Sequence, residues 1–455
     1  MFVGRERELK HLEEMYSSDR FELAVIYGRR RVGKTELIKE FCRGKPTAFF
    51  TAIESDRAAN LRGLSRAILS DSGPASGAAF ESFEDAFGAM AERARSERAV
   101  LVIDEYPFLA KSYGSVSSIL QREIDRSMKE TKLFLILCGS SMSFMENQVL
   151  GYESPLYGRR TAQIKVLPLG YRESARWFPG YSSEEKAMMH GITGGIPAYL
   201  EQMDPGKSPG WNISNRFLNP MCFMFEEPSS LLKQELREPH TYNSIIGAIA
   251  EGKTKLSDIC NATGLSSGTC LWYLGNLASL GIAKREAPVN DEKRAIYLLS
   301  DAAFRFWHRF VPRNMSEIQR DREAAFARFI EPNIPGFMGE AFEDMCRQYV
   351  ERHADAGFGI GRVGQWWGGD PETKKQIQID VVAIGVDGRE AIAGSCKYTG
   401  EPVGRGELEL LKRYARAMSP KIRWRYWLFS KSGFAPGLEE SEEVRLVSLD
   451  DMYRE

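Results

Sequence analysis

Residues Gly28 to Thr35 of "YGRRRVGKTELIKEF" spell G-x-x-x-x-G-K-T, a spacing that lets backbone N–H groups surround phosphate oxygens. Gly28, Arg29, Arg30, Arg31, Val32 and Gly33 make the loop, Lys34 can reach the terminal phosphates, Thr35 can ligate magnesium, and Glu36 completes the stretch. "VLVIDEY" supplies the complement. An apolar run ends in two carboxylates, so Asp104 can hold magnesium through water and Glu105 can polarise an attacking water. In "GSSMS", Ser140 or Ser141 can sense the terminal phosphate. In "PLYGRR", Arg159 or Arg160 can neutralise charge in the transition state, from the same chain or a neighbouring subunit, unless both are solvated surface arginines. The combination predicts hydrolysis of a nucleoside triphosphate, not its storage.

Such groups meet only if a strand ends before the loop and a helix starts after it. "FELAVIY", "TAFFTAI", "AVLVIDE", "KLFLILC" and "QIKVLPL" read as strands, with helical faces at Leu37, Ile38 and Phe41, at Leu61, Leu64 and Ile68, and at Ile119, Leu120 and Ile124. The alternation predicts a parallel sheet covered by helices. The whole chain of 455 residues suggests about three domains. With 61 basic against 62 acidic residues its net charge is -1, so no overall field draws it to nucleic acid or membrane. Seven scattered cysteines lack the spacing of a zinc site or a secreted disulfide framework. "MFVGRERELK" is too polar for a signal peptide, and the strongest apolar runs are strand-sized. A soluble, cytoplasmic protein with no membrane partner is expected.

"FVGRERELKHLEE", "YGRRRVGKTELIKEF", "LVIDEYPFL", "LCGSSMSFME", "PLYGRRT" and "GGIPAYL" together resemble, over about half the chain, the archaeal ATPase family, AAA-like P-loop proteins close to the STAND signalling ATPases. The resemblance implies ATP and Mg2+ as cofactors and a five-stranded core. It also implies an adenine pocket near Val3, Gly4 and Arg5, and a helical lid whose Gly195 and Pro197 approach the base. "TGGIPAY" reads equally as a helix stop followed by a proline-started helix.

Residues 236–312 read as three helices and a hairpin, a winged-helix pattern with apolar faces at Ile245, Ile246 and Ile249, at Leu256 and Ile259, and at Leu271, Leu274 and Leu277. Its third helix, "SSGTCLWYLGNLASL", has neither lysine nor arginine, so protein contact or coupling to the lid is expected there before sequence-specific DNA reading. From residue 313 on, a helix with an acid, the strand "QIQIDVVAIG" and the strand "REAIAGSCKYT" resemble the PD-(D/E)xK nuclease fold and the C-terminal domain of unknown function that often follows archaeal ATPases. That likeness implies a site of Glu340, Asp380, Ser395 and Lys397, with Ser395 and Gln378 standing where carboxylates are usual. Magnesium would then be held weakly. The expected architecture is α/β: a P-loop AAA-like ATPase core over 1–170, a helical lid over 171–235, the winged helix, and a restriction-endonuclease-like α/β domain over 313–455. The expected function is an ATP-hydrolysing molecular switch coupled to a degenerate nuclease-like domain; the alternative is an ATP-gated, metal-dependent DNA nuclease. DNA through local contacts, an unidentified protein and a second copy of the chain remain open as partners.

Overall fold

The computed structural model describes residues 2–69, 79–371 and 373–454. It falls into two units, Met1–Pro168 with Ile196–Ala198, and Leu169–Gly195 with Tyr199–Glu455. In the first, β1 (Glu22–Tyr27), β2 (Thr47–Thr51), β3 (Ala99–Asp104), β4 (Leu133–Gly139) and β5 (Ala162–Lys165) form a sheet in the order β2-β3-β4-β1-β5, every neighbour parallel. β1, β3 and β4 are buried along their whole length, as apolar strands must be when both faces are covered.

Alternate residues go to opposite faces. Ala24, Ile26, Val102, Phe134 and Ile136 pack with α1 (Glu6–Tyr16) and α2 (Lys34–Cys42). Leu23, Val25, Leu101, Ile103, Leu135 and Leu137 pack with α3 (Arg57–Leu69), α4 (Phe83–Ser96), α5 (Tyr106–Ser112) and α6 (Val116–Arg126). Each such Val, Leu or Ile contributes about 1.5–3 kcal/mol on burial, so two full layers hold the strand ends still. The register sets Tyr27 beside Gly139 and Ile103 beside Leu137. Gly28, Asp104 and Ser140 therefore emerge at one edge, the carboxyl end of the sheet, where ligands of open α/β folds bind.

The second unit contains the helix Ser183–Thr193, capped by the Ser182 hydroxyl and stopped by Gly194 at φ 63°. Later helices Pro239–Ala250, Leu256–Thr263 and Ser267–Ser279 lead into an antiparallel hairpin of β6 (Ala283–Glu286) and β7 (Ile296–Leu299). Ile245, Ile246, Ile249, Ile259, Leu274 and Leu277 share one core. Leu271 does not join them. It is 45% exposed, because Cys270, Tyr273, Leu274 and Leu277 take the buried line of that helix.

The last sheet comprises β8 (Ile360–Gly369), β9 (Gln376–Gly385), β10 (Glu390–Lys397), β11 (Arg423–Ser430) and β12 (Val444–Ser448) in the order β12-β11-β10-β9-β8. β8, β9 and β10 pair antiparallel, and β10, β11 and β12 parallel. Helices Ile334–Arg352 and Arg405–Met418 belong with it. The β6–β7 hairpin is fastened to this sheet: Val289 lies in its core, donates its N–H to Gln365 O at 3.0 Å, and accepts from Arg362 Nη1 at 2.8 Å. Among the described residues no helix is long and apolar enough to cross a membrane.

Candidate functional site

The loop after β1 is shaped by backbone that side chains resist. Gly28 has φ 158°, and a Cβ there would lie 2.3 Å from Val166 O. Gly33 (φ 87°) caps α2 from the left-handed region, and Arg31 (φ 73°) adopts that region without glycine's freedom. The bend starts α2 at Lys34, whose buried amine donates to Gly28 O and Arg29 O, each at 2.9 Å. Burial pushes the Lys34 pKa below its ordinary value, opposed by the nearby Cys138, Glu105 and Asp104. Arg29 and Val32 are also buried, whereas Glu36 is exposed and pairs with Lys39 at 2.8 Å.

Thr35 Oγ1 donates to Asp104 Oδ2 at 2.9 Å, which ties the start of α2 to the end of β3. Glu105, the next residue, has φ 51°. Its carboxylate meets the end of β4, where Oε2 accepts from Ser140 Oγ at 2.9 Å and from Ser140 N at 3.3 Å. Ser140, of the two serines, is thus the one joined to Glu105. In space β4 lies between β1 and β3, so the loop lysine, the two carboxylates and the serine hydroxyl come from three adjacent strand ends.

Val3 is buried and Gly4 has φ 75°. The Arg5 guanidinium donates to Val32 O at 2.9 Å and Leu167 O at 2.6 Å, bracing the phosphate-loop backbone. Pro197 comes to the same loop: a Cβ on Gly33 would lie 3.6 Å from its Cγ, and Ala198 N donates to Arg31 O at 3.4 Å. Gly195 (φ 66°) has no room for a side chain, since a Cβ would fall 2.0 Å from Leu169 O. The arginines after "PLYG" are engaged elsewhere. Arg159 grips Asp125 through Nε (3.1 Å) and Nη2 (2.5 Å) and holds that carboxyl down at about 2, while Arg160 Nη1 donates to Leu150 O at 3.2 Å.

At the second site Asp380 Oδ2 accepts from Cys396 N at 2.9 Å, and burial raises its pKa. Lys397 does not pair with it directly; its amine lies 3.0 Å from Glu407 Oε1. The same oxygen accepts from Ser395 Oγ at 2.6 Å. Glu340 turns to Arg305, at 2.7 Å. The helix acid that feels Asp380 is Glu343, whose pKa is raised by burial first and then by the Asp380 charge, to about 8. Sequence reasoning missed Glu343 and Glu407. Glu343 stands three residues, one helical turn, beyond the acid it did choose; Glu407 offered only an acid in the first turn of the next helix. Among the described residues no three His, Cys, Asp or Glu side chains converge closely enough to hold a metal between them.

Residues 2–203 match the family described as an ATPase domain predominantly from Archaea. Residues 307–409 match one described as archaeal and bacterial proteins of unknown function. An uncharacterized protein of Methanocaldococcus jannaschii is 32% identical over 406 residues, 88% of each chain. An uncharacterized ATP-binding protein of the same organism is 51% identical over 45 residues, 10% of this chain and 76% of that one. The solved Walker-type ATPase of Pyrococcus abyssi, 19% identical, superposes with a TM-score of 0.51 over 68% of this chain and 96% of its own, a likeness of fold. With the phosphate loop, the acidic strand end and kinship along nearly the whole chain, the protein belongs to the archaeal family of P-loop ATPases and carries, beyond the ATPase domain, a second domain from a family of unknown function.

Proposed function

We propose that the protein is a magnesium-dependent ATPase that works as a molecular switch. The observation that carries this reading is the junction of Thr35 with Asp104 at 2.9 Å and of Glu105 with Ser140 at 2.9 Å, at the mouth of a loop holding a buried lysine. The fit to a magnesium nucleotide is good, since a hydroxyl and a carboxylate already face each other and backbone N–H groups open the helix. Thr35 and Asp104 would hold the ion, which when bound supplies positive charge to the phosphate oxygens. Lys34 exchanges its two carbonyl partners for phosphate oxygens. Glu105 orients water and takes its proton, with Ser140 fixing the carboxylate. Val3, Gly4, Arg5 and Pro197 border the base. Arg160, tied by one hydrogen bond to a carbonyl, is freer to turn to the phosphates than Arg159, which holds Asp125 at two points.

The switch rests on chain connectivity. Ile196–Ala198 packs with the nucleotide unit although the chain on both sides of it belongs to the other. A change at Gly33 or Arg31 reaches Pro197 and Ala198, and from them the second unit through the backbone, with the three-helix, winged-helix-like module relaying motion to the nuclease-like domain. ATP hydrolysis by the whole chain should fall at least about 100-fold in EDTA or in Asp104→Ala. An undiminished rate in EDTA would exclude the magnesium mechanism.

A second reading, an ATP-gated nuclease, is favoured by Glu343 and Glu407, which bring acids to Asp380 and Lys397 where the strand motif lacks one. Magnesium can rest on one or two carboxylates completed by a substrate phosphate. Metal-dependent DNA cleavage that is modulated by ATP and lost in Asp380→Ala and Glu407→Ala would establish this reading. Cleavage surviving both substitutions would place it elsewhere.

A further inference from the structure

A cleft of about 770 Å3 opens between the hairpin and the last sheet of the second unit. One wall is Thr254, Lys255 and the β7 side of the hairpin with Arg294; the other is β8 and β9 with Trp367, Lys374, Gln376 and Gln378. We propose that this cleft binds the sugar-phosphate backbone of a single-stranded nucleic acid. The proposal goes beyond the nuclease reading, because a strand can be held whether or not it is cut.

Charge is the first argument. Among the described residues the two acids of the cleft are answered within the fold, Glu340 by Arg305 at 2.7 Å and Glu343 by Arg347 at 3.7 Å. Lys255 and Lys374 are exposed, and among the described residues their amines enter no ion pair or hydrogen bond. Among the described lining residues cations therefore predominate on both walls, the arrangement that tracks a phosphate backbone. Two of the module's cations, Lys255 and Arg294, stand here, whereas its third helix has none.

Construction is the second. Lys374 stands at φ 60°, a left-handed backbone that a lysine adopts only when its surroundings compel it. They do: Asp370, 1% exposed, closes the turn by accepting Lys374 N at 2.9 Å and donating to Lys375 O at 2.8 Å. Its carboxylate also accepts from Thr373 Oγ1 at 2.8 Å. Across the cleft Arg294 donates to Trp367 O at 2.9 Å and to Asp291 at 2.8 Å, which fixes the hairpin to β8. The walls are braced, so little order has to be gained on binding.

Size and position choose the ligand. A cleft of this volume accommodates roughly two or three nucleotides of one strand and not the body of a duplex. Its lining includes Glu343 and Gln378, and the Gln378 amide lies 3.4 Å from Asp380 Oδ1, so a strand seated here passes beside the second site.

The test uses the full chain, in EDTA and without nucleotide, with fluorescent oligodeoxythymidylate, oligouridylate and a mixed-sequence DNA duplex. The single strands should bind in preference to the duplex. A Lys255→Glu/Lys374→Glu variant should lose at least about tenfold in affinity, and its salt slope should fall by about 1.4, two phosphate contacts at about 0.7 each. Equal binding of the two single strands identifies backbone recognition, and a preference shows that the 2′-hydroxyl or the thymine methyl group is also read. The variant should keep wild-type ATP turnover, which reports that the chain is folded. Single-strand affinity unchanged in this variant, or a duplex bound as tightly as either strand, overturns the proposal. Asp380→Ala should keep strand binding; cleavage lost there with binding intact bears on the nuclease reading alone.

Discussion

His190 is buried with Nδ1 2.8 Å from the Ser174 hydroxyl. Burial drives its pKa from 6.5 down to about 4, with Asp344 opposing and Arg305 reinforcing the shift. As pH falls from 6.5 to 4 the unfolded chain takes up a proton that the folded chain refuses, so stability is lost on acidification, by up to about 3 kcal/mol at pH 4. His308, also lowered to about 4 by burial, adds a loss of the same sign. His190→Gln should therefore flatten the fall of the melting temperature between pH 6.5 and 4.5; a fall as steep as in the wild type would remove this imidazole from the account. Single residues also show what spacing alone can specify. Lys34 and Thr35 could be placed from the sequence because strand, loop and helix fix their mutual position within a few residues, whereas Asp104, 69 residues from Thr35, could be named only by its motif, an apolar strand ending in a carboxylate. Ser140 could not be chosen over Ser141, since that depends on which hydroxyl faces a carboxylate from a different strand. Glu407 is the clearest case: Ser395 looked like a lost carboxylate, and it is the hydroxyl that holds one from the helix beyond.

The five strands of the nucleotide unit were all readable as apolar runs, and the parallel sheet followed from their alternation with helices. Their lateral order was not. Periodicity describes which faces are apolar, and nothing local says that β4 will insert between β1 and β3. The hairpin shows the same limit, for Val289 packs into the core of a sheet whose first strand begins more than seventy residues later. At this scale the phosphate loop depends on close approach of backbone to backbone. Gly28→Ala places a methyl group 2.3 Å from Val166 O, so β5 and the loop must separate. It should lower the melting temperature and weaken ATP binding at least about tenfold, in the range expected of an overpacked core position. Wild-type affinity in Gly28→Ala would mean that the loop is not held by its fit to the chain after β5.

For the molecule as a whole, a net charge of -1 hides a local asymmetry: a helix without cations in one part of the second unit and a cleft with cations on both walls in another. Composition could not reveal that, because it sums over surfaces. Nor could length, which suggested about three domains, show that Ile196–Ala198 would pack with one unit while both flanks belong to the other. In the proposed switch this threading is the route by which the second unit senses nucleotide state, and the roles proposed for Lys34 and Glu105 make binding and hydrolysis separable events. The direct measurement is equilibrium ATP binding beside steady-state turnover in Glu105→Gln, with Lys34→Ala in parallel. The account predicts that Glu105→Gln binds ATP about as tightly as the wild type and hydrolyses it at least about 100-fold more slowly, whereas Lys34→Ala loses binding. Hydrolysis by Glu105→Gln at the wild-type rate would contradict it.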